Sequence, residues 1–591
     1  MDNITLARLL DETASLLEID GADVFRVRSY RRAAEAVEQQ TTQLATLAAP
    51  DADPKALLAI AGIGKGMAAN IRDLVATGSM PLRDELLSKY RASMLDLLKL
   101  PGMGPKTVAL VWSALGVTNL DELETAAKAG RMNELPRMGE KFTTKLLKGI
   151  EDYRRNSSRF RIDVAREFAR RISALILEFP GIDQVTPAGS LRRGRETVGD
   201  LDLLATGPAC EPDAVAAAVE HVANLPLIDN LMARGQNKVT FTLRNNLQVD
   251  VRLLPRASYG AAMQYFTGSK HHNVALRQRA IKRGLTLSEY ALLRLEDNVI
   301  VAAATEEAIY NALELAYIPP ELRENCGEIE AAAATFAGLT EGGLPQLITL
   351  ADLHGDVHMH TTETDGTASI REMAEAAIAR GRKYIAITDH SKNLAMTNGM
   401  DDARALAHAA RVRAVNAEME GRIHLFTGIE VDILGEGELD LEDDTLAQLD
   451  IVVASVHSRF DQPREVMTAR ILRAIENPYV RILGHPTGRK LLKRDPYAVD
   501  LEAVFQRAAE LGVAVEHNAA PARTDLSESH MRLAKSLGCK ISINTDAHAT
   551  DEMDYMKDGI IQLRRAWLTP ADVLNTATTP EAFLASLRKR P

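Results

Sequence analysis

The sequence predicts a multidomain protein: a helical N-terminal region, an α+β middle and a C-terminal domain resembling a distorted α/β barrel. Three observations carry this reading. The 591 residues exceed what one hydrophobic core fills, and at roughly 100–200 residues per domain they divide into about three to five units. The first 150 or so residues show helix-length apolar patterns broken by Gly- and Pro-containing turns, with no alternating strand pattern. From Asp352 onward, short apolar runs that end in His or Asp alternate with helical patterns, as parallel α/β units do.

Composition narrows the function. A hydrophobic content of 46% with 26% charged residues is that of an ordinary globular chain. No run of about 18 apolar residues occurs, so no membrane span is expected. The opening segment, MDNITLARLLDETASLLEIDG, lacks the basic start and apolar stretch of a signal peptide, which predicts a cytoplasmic protein. Cys210, Cys326 and Cys539 are too scattered for a disulfide framework or a CxxC metal site. The net charge of −11 is uneven: residues 1–318 carry 40 Lys+Arg against 39 Asp+Glu, net +1, and residues 319–591 carry 30 against 42, net −12. Of 14 histidines, three precede residue 350 and eleven follow it. An acidic surface explains the carboxylates but not the histidines; acid and imidazole together suit a polynuclear metal site.

In the helical region three turns look alike: Ile60-Ala61-Gly62-Ile63-Gly64, Leu100-Pro101-Gly102-Met103-Gly104 and Leu135-Pro136-Arg137-Met138-Gly139, each followed by a lysine (Lys65, Lys106, Lys141) and a new helix. Glycines here let two helices meet closely and leave the next helix's first N–H groups open to a phosphate oxygen. Such a grip reads nucleic-acid backbone, not bases. The first two turns resemble helix-hairpin-helix motifs, with Gly62, Gly64, Lys65, Gly102, Gly104 and Lys106 as DNA contacts. The third, with Arg137 where the first glycine belongs, reads as structural.

From about residue 156 the texture becomes mixed. A helix over Asp163 to Phe179 precedes expected strands at Asp200–Thr206, Lys238–Leu243 and Gln248–Leu253. In the segment Val198-Gly199-Asp200-Leu201-Asp202, the two aspartates stand one strand period apart and share a face. Carboxylates this close repel unless a divalent cation lies between them. Asp250, in Gln248-Val249-Asp250-Val251-Arg252, offers a third, and three converging Asp can hold two Mg²⁺ ions. Just upstream, Gly189-Ser190-Leu191-Arg192-Arg193-Gly194 supplies N–H, hydroxyl and guanidinium donors suited to phosphates.

These residues resemble the nucleotidyltransferase palm of family X DNA polymerases, the group that includes DNA polymerase beta, and the match extends over residues 1–318. The resemblance implies an α+β palm with a small α/β thumb, and Mg²⁺ or Mn²⁺ in the polymerase site. It also implies that Asp200 and Asp202 bind both ions, that Asp250 binds the catalytic one near the primer 3′-hydroxyl, and that Gly189, Ser190 and Arg193 hold the incoming nucleotide's phosphates. Tyr265-Phe266-Thr267-Gly268-Ser269 falls on the family's sugar-lining turn, giving Tyr265, Phe266 and Gly268 a nucleotide-binding role. Asn273 and Arg277 fall where the family contacts the nascent base pair. His271 and His272 have no role in the pattern and read as surface or packing positions.

In the C-terminal part, His358-Met359-His360-Thr361-Thr362-Glu363-Thr364-Asp365 opens a series of potential ligands after apolar runs: His390 after Ile385–Thr388, Glu430 after Ile423–Ile429, His457 after Val452–Val456, His485 after Ile482–Gly484, and Asp546 with His548 after Ile541–Asn544. Ligands at successive strand ends of a barrel converge on one rim. The arrangement resembles the PHP (polymerase and histidinol phosphatase) domain. That resemblance implies nine ligands, His358, His360, Asp365, His390, Glu430, His457, His485, Asp546 and His548, with Glu430 a bridge, holding up to three ions of Mn²⁺ and/or Zn²⁺ in an active phosphoesterase. His354, His408, His424, His517 and His530 read as supporting or incidental. Arg523 and Asp525 fit either substrate binding or a loop salt bridge.

The expected organisation is a helical DNA-binding subdomain at 1–90, a second helix-hairpin-helix subdomain at 91–155, the palm at 156–255, a thumb at 256–318 that reads as largely helical, a linker with one helix at 319–349, and the PHP domain at 350–591. A polymerase body joined to a complete PHP domain resembles the bacterial family X architecture. It implies a monomer that fills short gaps in gapped or primed DNA from dNTPs during base excision repair, in the nucleoid and away from membranes. It further implies a metal-dependent 3′→5′ exonuclease, with AP endonuclease or 3′-phosphodiesterase cleavage in the same domain. The alternatives are a polymerase with a purely structural PHP domain, a non-catalytic DNA-binding scaffold, and a small-metabolite phosphatase.

One departure from the family generates a prediction. Where the family's lyase subdomain carries a Schiff-base lysine after the first hairpin, this sequence has Asn70, whose amide nitrogen is not nucleophilic. Lyase activity by this route is therefore expected to be absent, and borohydride treatment with an abasic-site product is expected to trap no adduct. A robust adduct that disappears in Lys65→Ala would overturn this.

Overall fold

The computed structural model describes residues 3–38, 44–49, 52–53, 55–60, 62–100, 102–136, 138–156, 159–339 and 341–587. Three positions of the repeated turns, Ala61, Pro101 and Arg137, lie outside the described residues. Among the described residues no strand occurs before Phe160, and no helix is long and apolar enough to cross a membrane. The helical region packs around one continuous apolar core running from Leu6 to Ile150. Its first helix, Asn3–Ile19, shows why: Leu6, Leu9, Leu10, Leu16 and Leu17 recur at helical spacing and are all buried.

Next comes a five-stranded sheet in the order Gln184–Pro187, Asp200–Thr206, Gln248–Leu253, Lys238–Leu243, Ile228–Arg234. Only its central pair, Asp200–Thr206 with Gln248–Leu253, is parallel, and the ladder sets Asp202 directly opposite Asp250. Leu201, Leu203, Val249 and Val251 point to the other face, into a core shared with the Ile162–Leu177 helix. The alternation of apolar and acidic residues thus turns the three aspartates to one side.

Residues 256–318, expected as largely helical, also contain a three-stranded antiparallel sheet of Leu285–Leu287, Leu292–Arg294 and Ile300–Ala302. These strands are too short to show an alternating pattern in the sequence. The stretch 319–349 is not a tether. Leu322, Ile329, Ala332 and Leu347 enter the same core as Leu276, Ile309 and Tyr310. Buried Glu328 meets His272 Nδ1 at 2.7 Å, and Tyr310 meets His272 Nε2 at 2.9 Å, so His272 is a packed structural residue. Arg192 and the fully buried Arg323 converge on Glu306 at 2.6 Å each and tie the palm to this subdomain.

The C-terminal domain is a seven-stranded, all-parallel, nearly closed barrel: Gly355–Asp356, Tyr384–Ile387, His424–Asp432, Ile451–Ser455, Ile482–Leu483, Ala514–Asn518 and Ile541–Asn544, in chain order. Its seam is stitched by buried Asn575, which donates to Gly355 O at 3.2 Å and accepts from Ile543 N at 2.8 Å. Beyond it, Asp546 N donates to His358 O and His360 N to Ala547 O. Tyr384, Phe426, Val453 and Ile482 fill the barrel with Leu574 and Phe583 of the C-terminal segment.

The Glu306 pairing generates a prediction. Burial opposes its charge, but Arg323 and Arg192 hold its pKa down to about 2, against an ordinary 4.5. Because the folded-state pKa is depressed, this contribution is complete above the ordinary value and fades as pH falls towards about 2. Glu306→Gln is expected to destabilise the fold by about 3 kcal/mol at neutral pH. In denaturant unfolding the difference from wild type should close between pH 4.5 and about 2; a gap independent of pH would overturn it.

Two candidate metal centres

The first centre lies at the start of the parallel palm pair. Burial, then the Asp200 and Asp250 carboxylates, pushes the Asp202 pKa up to about 7. Asp200 is raised as well, by burial and then by Asp250. Burial also opposes charge on Asp250, but Lys238 Nζ at 2.7 Å and the hydroxyl of Thr240 at 2.5 Å hold it below the usual carboxylate range. Three converging carboxylates, two of them raised by burial and by one another, fit a divalent cation.

Gly189 begins a short helix, Gly189–Arg192, at φ +57°, and a Cβ there would collide with Asp202 Oδ2. Only glycine lets the turn lie against the carboxylate. Arg193 is drawn inward: it donates to Glu324 Oε1 at 3.0 Å and to the carbonyl of Thr267 at 2.6 Å, beside Gly268. Ser190 sits in the same helix. Tyr265 and Phe266 pack edge to face, and Arg252 stacks on the Phe266 ring at 4.2 Å. Asn273 is buried and its amide is used within the protein, donating to Tyr265 O at 2.7 Å and accepting from Gln264 at 2.8 Å. Arg277 Nε reaches Asn273 O at 3.4 Å.

The second centre lies at the C-terminal ends of the barrel strands. All nine expected residues converge there. His360, Asp365, His390 and His548 form one group with ligand atoms within 4.8 Å of one another; His358, His360 and Asp546 form a second; His390, Glu430 and His457 form a third. His485 joins through Glu430 Oε1 at 2.9 Å. Glu430 lies within the His424–Asp432 strand, not after its end as the apolar run suggested, because the barrel ladder continues to Asp432.

Ring orientation is set from outside. His358 Nδ1 meets Glu516 at 2.7 Å and His457 Nδ1 meets Asp432 at 2.8 Å. Their buried Nε2 atoms, with His360 Nδ1 and His485 Nδ1, have no hydrogen-bond partner. Buried ring nitrogens left unpaired beside carboxylates are what an imidazole cage for metal ions requires. Burial opposes charge on Glu430, yet His457, His358 and His390 hold its pKa well below the ordinary range. His360, buried and beside His390, is pushed down to about 4 and stays neutral.

Glu516 escaped the sequence reading, although it ends an apolar run, Val513-Ala514-Val515, as the other strand-end residues do. It also accepts from His485 N at 2.7 Å and Asn544 Nδ2 at 2.9 Å. Asp432, Lys238 and Glu324 were missed too; nothing local marks them. Arg523 reaches Asp546 at 3.2 Å and Asp525 accepts from Thr487 N at 3.0 Å, so both make loop contacts. His408 pairs with Asp389 at 2.8 Å, and Asp389 in turn accepts from Thr361.

The helix-hairpin-helix turns repeat one geometry. Ile63 N, Met103 N and Met138 N each donate 3.1 Å back to Ile60 O, Leu100 O and Leu135 O. Gly62 and Gly102 take φ of +100° and +83°, and a Cβ on Gly102 would meet the Phe142 ring at 2.9 Å. The helices that follow, Lys65–Thr77 and Pro105–Leu115, begin at Gly64 and Gly104 with no side-chain cap, and Lys65 and Lys106 are exposed beside these open N–H groups. The third helix instead carries Glu140 in its first turn, which repels phosphate. Asn70 donates to Tyr30 OH at 2.6 Å.

The Glu516 contact generates a prediction. Glu516→Gln removes the carboxylate that aims His358 into the cage. It is expected to weaken metal retention about ten- to a hundredfold, measured as metal content after dialysis against graded chelator. Unchanged retention would overturn the assigned orientation.

Comparison with known proteins shows the family. The chain matches the models of a helix-hairpin-helix domain over residues 1–80, a SAM-like helix-hairpin-helix tandem over 94–152, the DNA polymerase beta thumb over 262–324 and the PHP domain over 356–523. It is 37% identical over 584 residues, 98% of each chain, to a Bacillus subtilis (strain 168) protein described as DNA polymerase/3'-5' exonuclease PolX. Its C-terminal part is 32% identical over 232 residues to a probable phosphatase of Thermoanaerobacter sp. (strain X514), 37% of this chain and 89% of that one. It is also 30% identical over 240 residues to a probable phosphatase of Syntrophotalea carbinolica, 39% of this chain and 95% of that one. With both centres in one polypeptide and similarity along nearly its full length, the chain belongs to the PolX family of DNA polymerase/3'-5' exonucleases.

Proposed function

We propose that this chain is a DNA-directed DNA polymerase that fills short gaps in repair, joined to a metal-dependent 3′→5′ exonuclease. The observation that supports the pairing best is the presence of two separate charge clusters, an aspartate trio and a histidine-dominated cage, each suited to divalent ions beside a phosphate. Asp200, Asp202 and Asp250 would hold Mg²⁺ or Mn²⁺; the nine residues from His358 to His548 would hold up to three ions of Mn²⁺ and/or Zn²⁺. Bound divalent ions would supply Lewis acidity and charge neutralisation in both reactions.

The protein's own residues do the rest. Gly189 and Ser190 offer donors to the incoming triphosphate, and Arg193 exchanges its protein partners for phosphate oxygens. Tyr265, Phe266 and Gly268 line the sugar. Asn273 acts as a brace: bound to Tyr265 O and Gln264, it fixes that turn, and Arg277 continues the same face towards the nascent pair. In the cage, Glu516 and Asp432 orient His358 and His457, and Arg523 stands beside Asp546 where it can face a substrate phosphate. Gly62, Gly64 and Lys65, with Gly102, Gly104 and Lys106, grip DNA backbone without reading sequence. The substrates are gapped or primed DNA and dNTPs, the protein acts as a monomer on nucleoid DNA, and the setting is base excision repair. AP endonuclease and 3′-phosphodiesterase cleavage fall within the same phosphoesterase chemistry.

The test is a gapped-duplex assay with and without dNTPs. Asp202→Ala is expected to abolish extension and spare exonuclease; His360→Ala is expected to do the reverse. Exonuclease that persists in His360→Ala would reduce the barrel to a structural partner. Extension that persists in Asp202→Ala would place polymerisation elsewhere.

A further inference from the structure

The segment that follows the phosphate-binding turn is embedded in the barrel domain. The carbonyl of Gly194 accepts from Gln562 Nε2 at 2.7 Å, and the carbonyl of Arg193 accepts from Arg565 at 2.5 Å. A Cβ on Gly194 would collide with Ile561. Arg195 reaches Glu528 at 3.5 Å, and Glu196 takes the Arg489 guanidinium at 2.6 Å. Gln562 and Arg565 lie on the barrel helix Met556–Arg565.

Glu324 is the hub of this contact. Its Oε1 lies 3.0 Å from Arg193 Nε, 3.2 Å from the Arg565 guanidinium and 3.9 Å from Arg195. The Arg565 side chain is 1% exposed and also pairs with Glu528. One carboxylate is therefore divided between Arg193, from the palm, and Arg565, from the barrel. A buried charge-assisted hydrogen bond weakens when its acceptor is shared and tightens when it is not. To reach a triphosphate, Arg193 must leave Glu324.

We propose that Arg565 is a positioning residue for polymerisation: by sharing Glu324 and fixing the Arg193 carbonyl, the barrel domain keeps the Arg193 guanidinium available to the incoming nucleotide. This rests on the reading of Arg193 as a triphosphate ligand. It adds that the barrel sets nucleotide affinity in the polymerase site, independently of its own hydrolytic chemistry. Without Arg565, Glu324 binds Arg193 more tightly and the nucleotide competes less well. Without the Glu324 charge, Arg193 is released.

The two substitutions thus act in opposite directions, which loss of packing does not predict. Single-nucleotide insertion on a gapped duplex, measured with the full chain, tests this. Arg565→Met is expected to raise the dNTP KM on the order of tenfold with little change in kcat. Glu324→Gln is expected to lower KM, and adding it to Arg565→Met is expected to bring KM back to or below wild type. An unchanged KM in Arg565→Met, or a raised KM that survives in the double variant, overturns the proposal. Should Arg565→Met not fold, Glu324→Gln alone decides, since an unchanged or raised KM contradicts the shared-carboxylate account. Arg193→Ala is the control: if it leaves KM unmoved, the triphosphate reading fails and the inference falls with it, whereas a raised KM confines any failure to Arg565.

Discussion

Glu430 is 1% exposed, and the imidazoles of His390 and His485 approach it at 2.9 Å, His457 at 3.3 Å, His358 at 3.5 Å and His360 at 3.7 Å. Burying a carboxylate is unfavourable unless positive charge gathers around it. Here His457, His358 and His390 favour its charge, and they meet because parallel strands deliver their C-terminal ends to one rim. The palm works under the same constraint with the opposite outcome. Asp200, Asp202 and Asp250 are brought together by a parallel ladder, and burial with the two neighbouring carboxylates makes Asp202 resist ionisation despite Arg252 and Lys238. In both places backbone pairing forces like or unlike charges together out of water, an arrangement suited to added cations.

That constraint explains the tight supporting shells. Glu516 and Asp432 accept from the outward nitrogens of His358 and His457, leaving the inward ones unpaired. Gly189 has no side chain because Asp202 occupies the space one would fill. At neutral pH such features stabilise the fold little by themselves; they hold groups ready for a charged partner.

The same economy of charge joins the two halves. Leu322, Ile329, Ala332 and Leu347 pack as a wall of the thumb core, and Glu321 and Glu324 from the same stretch meet Arg564 and Arg565 of the barrel at 2.8 Å and 3.2 Å. A primer terminus that is to visit both centres therefore travels between sites on a packed joint, and free swinging of one half on a flexible tether does not describe this arrangement.

The sequence by itself determined which residues to look at. Asp200, Asp202 and Asp250 were legible from strand periodicity, and most of the barrel residues from the apolar runs they end, both local properties; Asp365, in a polar turn, entered the set of nine through the resemblance. The paired glycine turns were legible for a similar reason, since Gly62 and Gly102 take φ of +100° and +83°, a local demand that favours glycine. Only the tertiary structure decided the partners: Lys238 beside Asp250, Glu516 behind His358, His272 against Glu328, and Glu324 between Arg193 and Arg565. These contacts join residues 12 to 241 positions apart, and apart from Glu516, which ends an apolar run, each partner is an ordinary charged or polar residue with no local pattern to mark it. Charge acts through space, so which groups share a low-dielectric pocket is settled by packing and leaves no periodic trace along the chain.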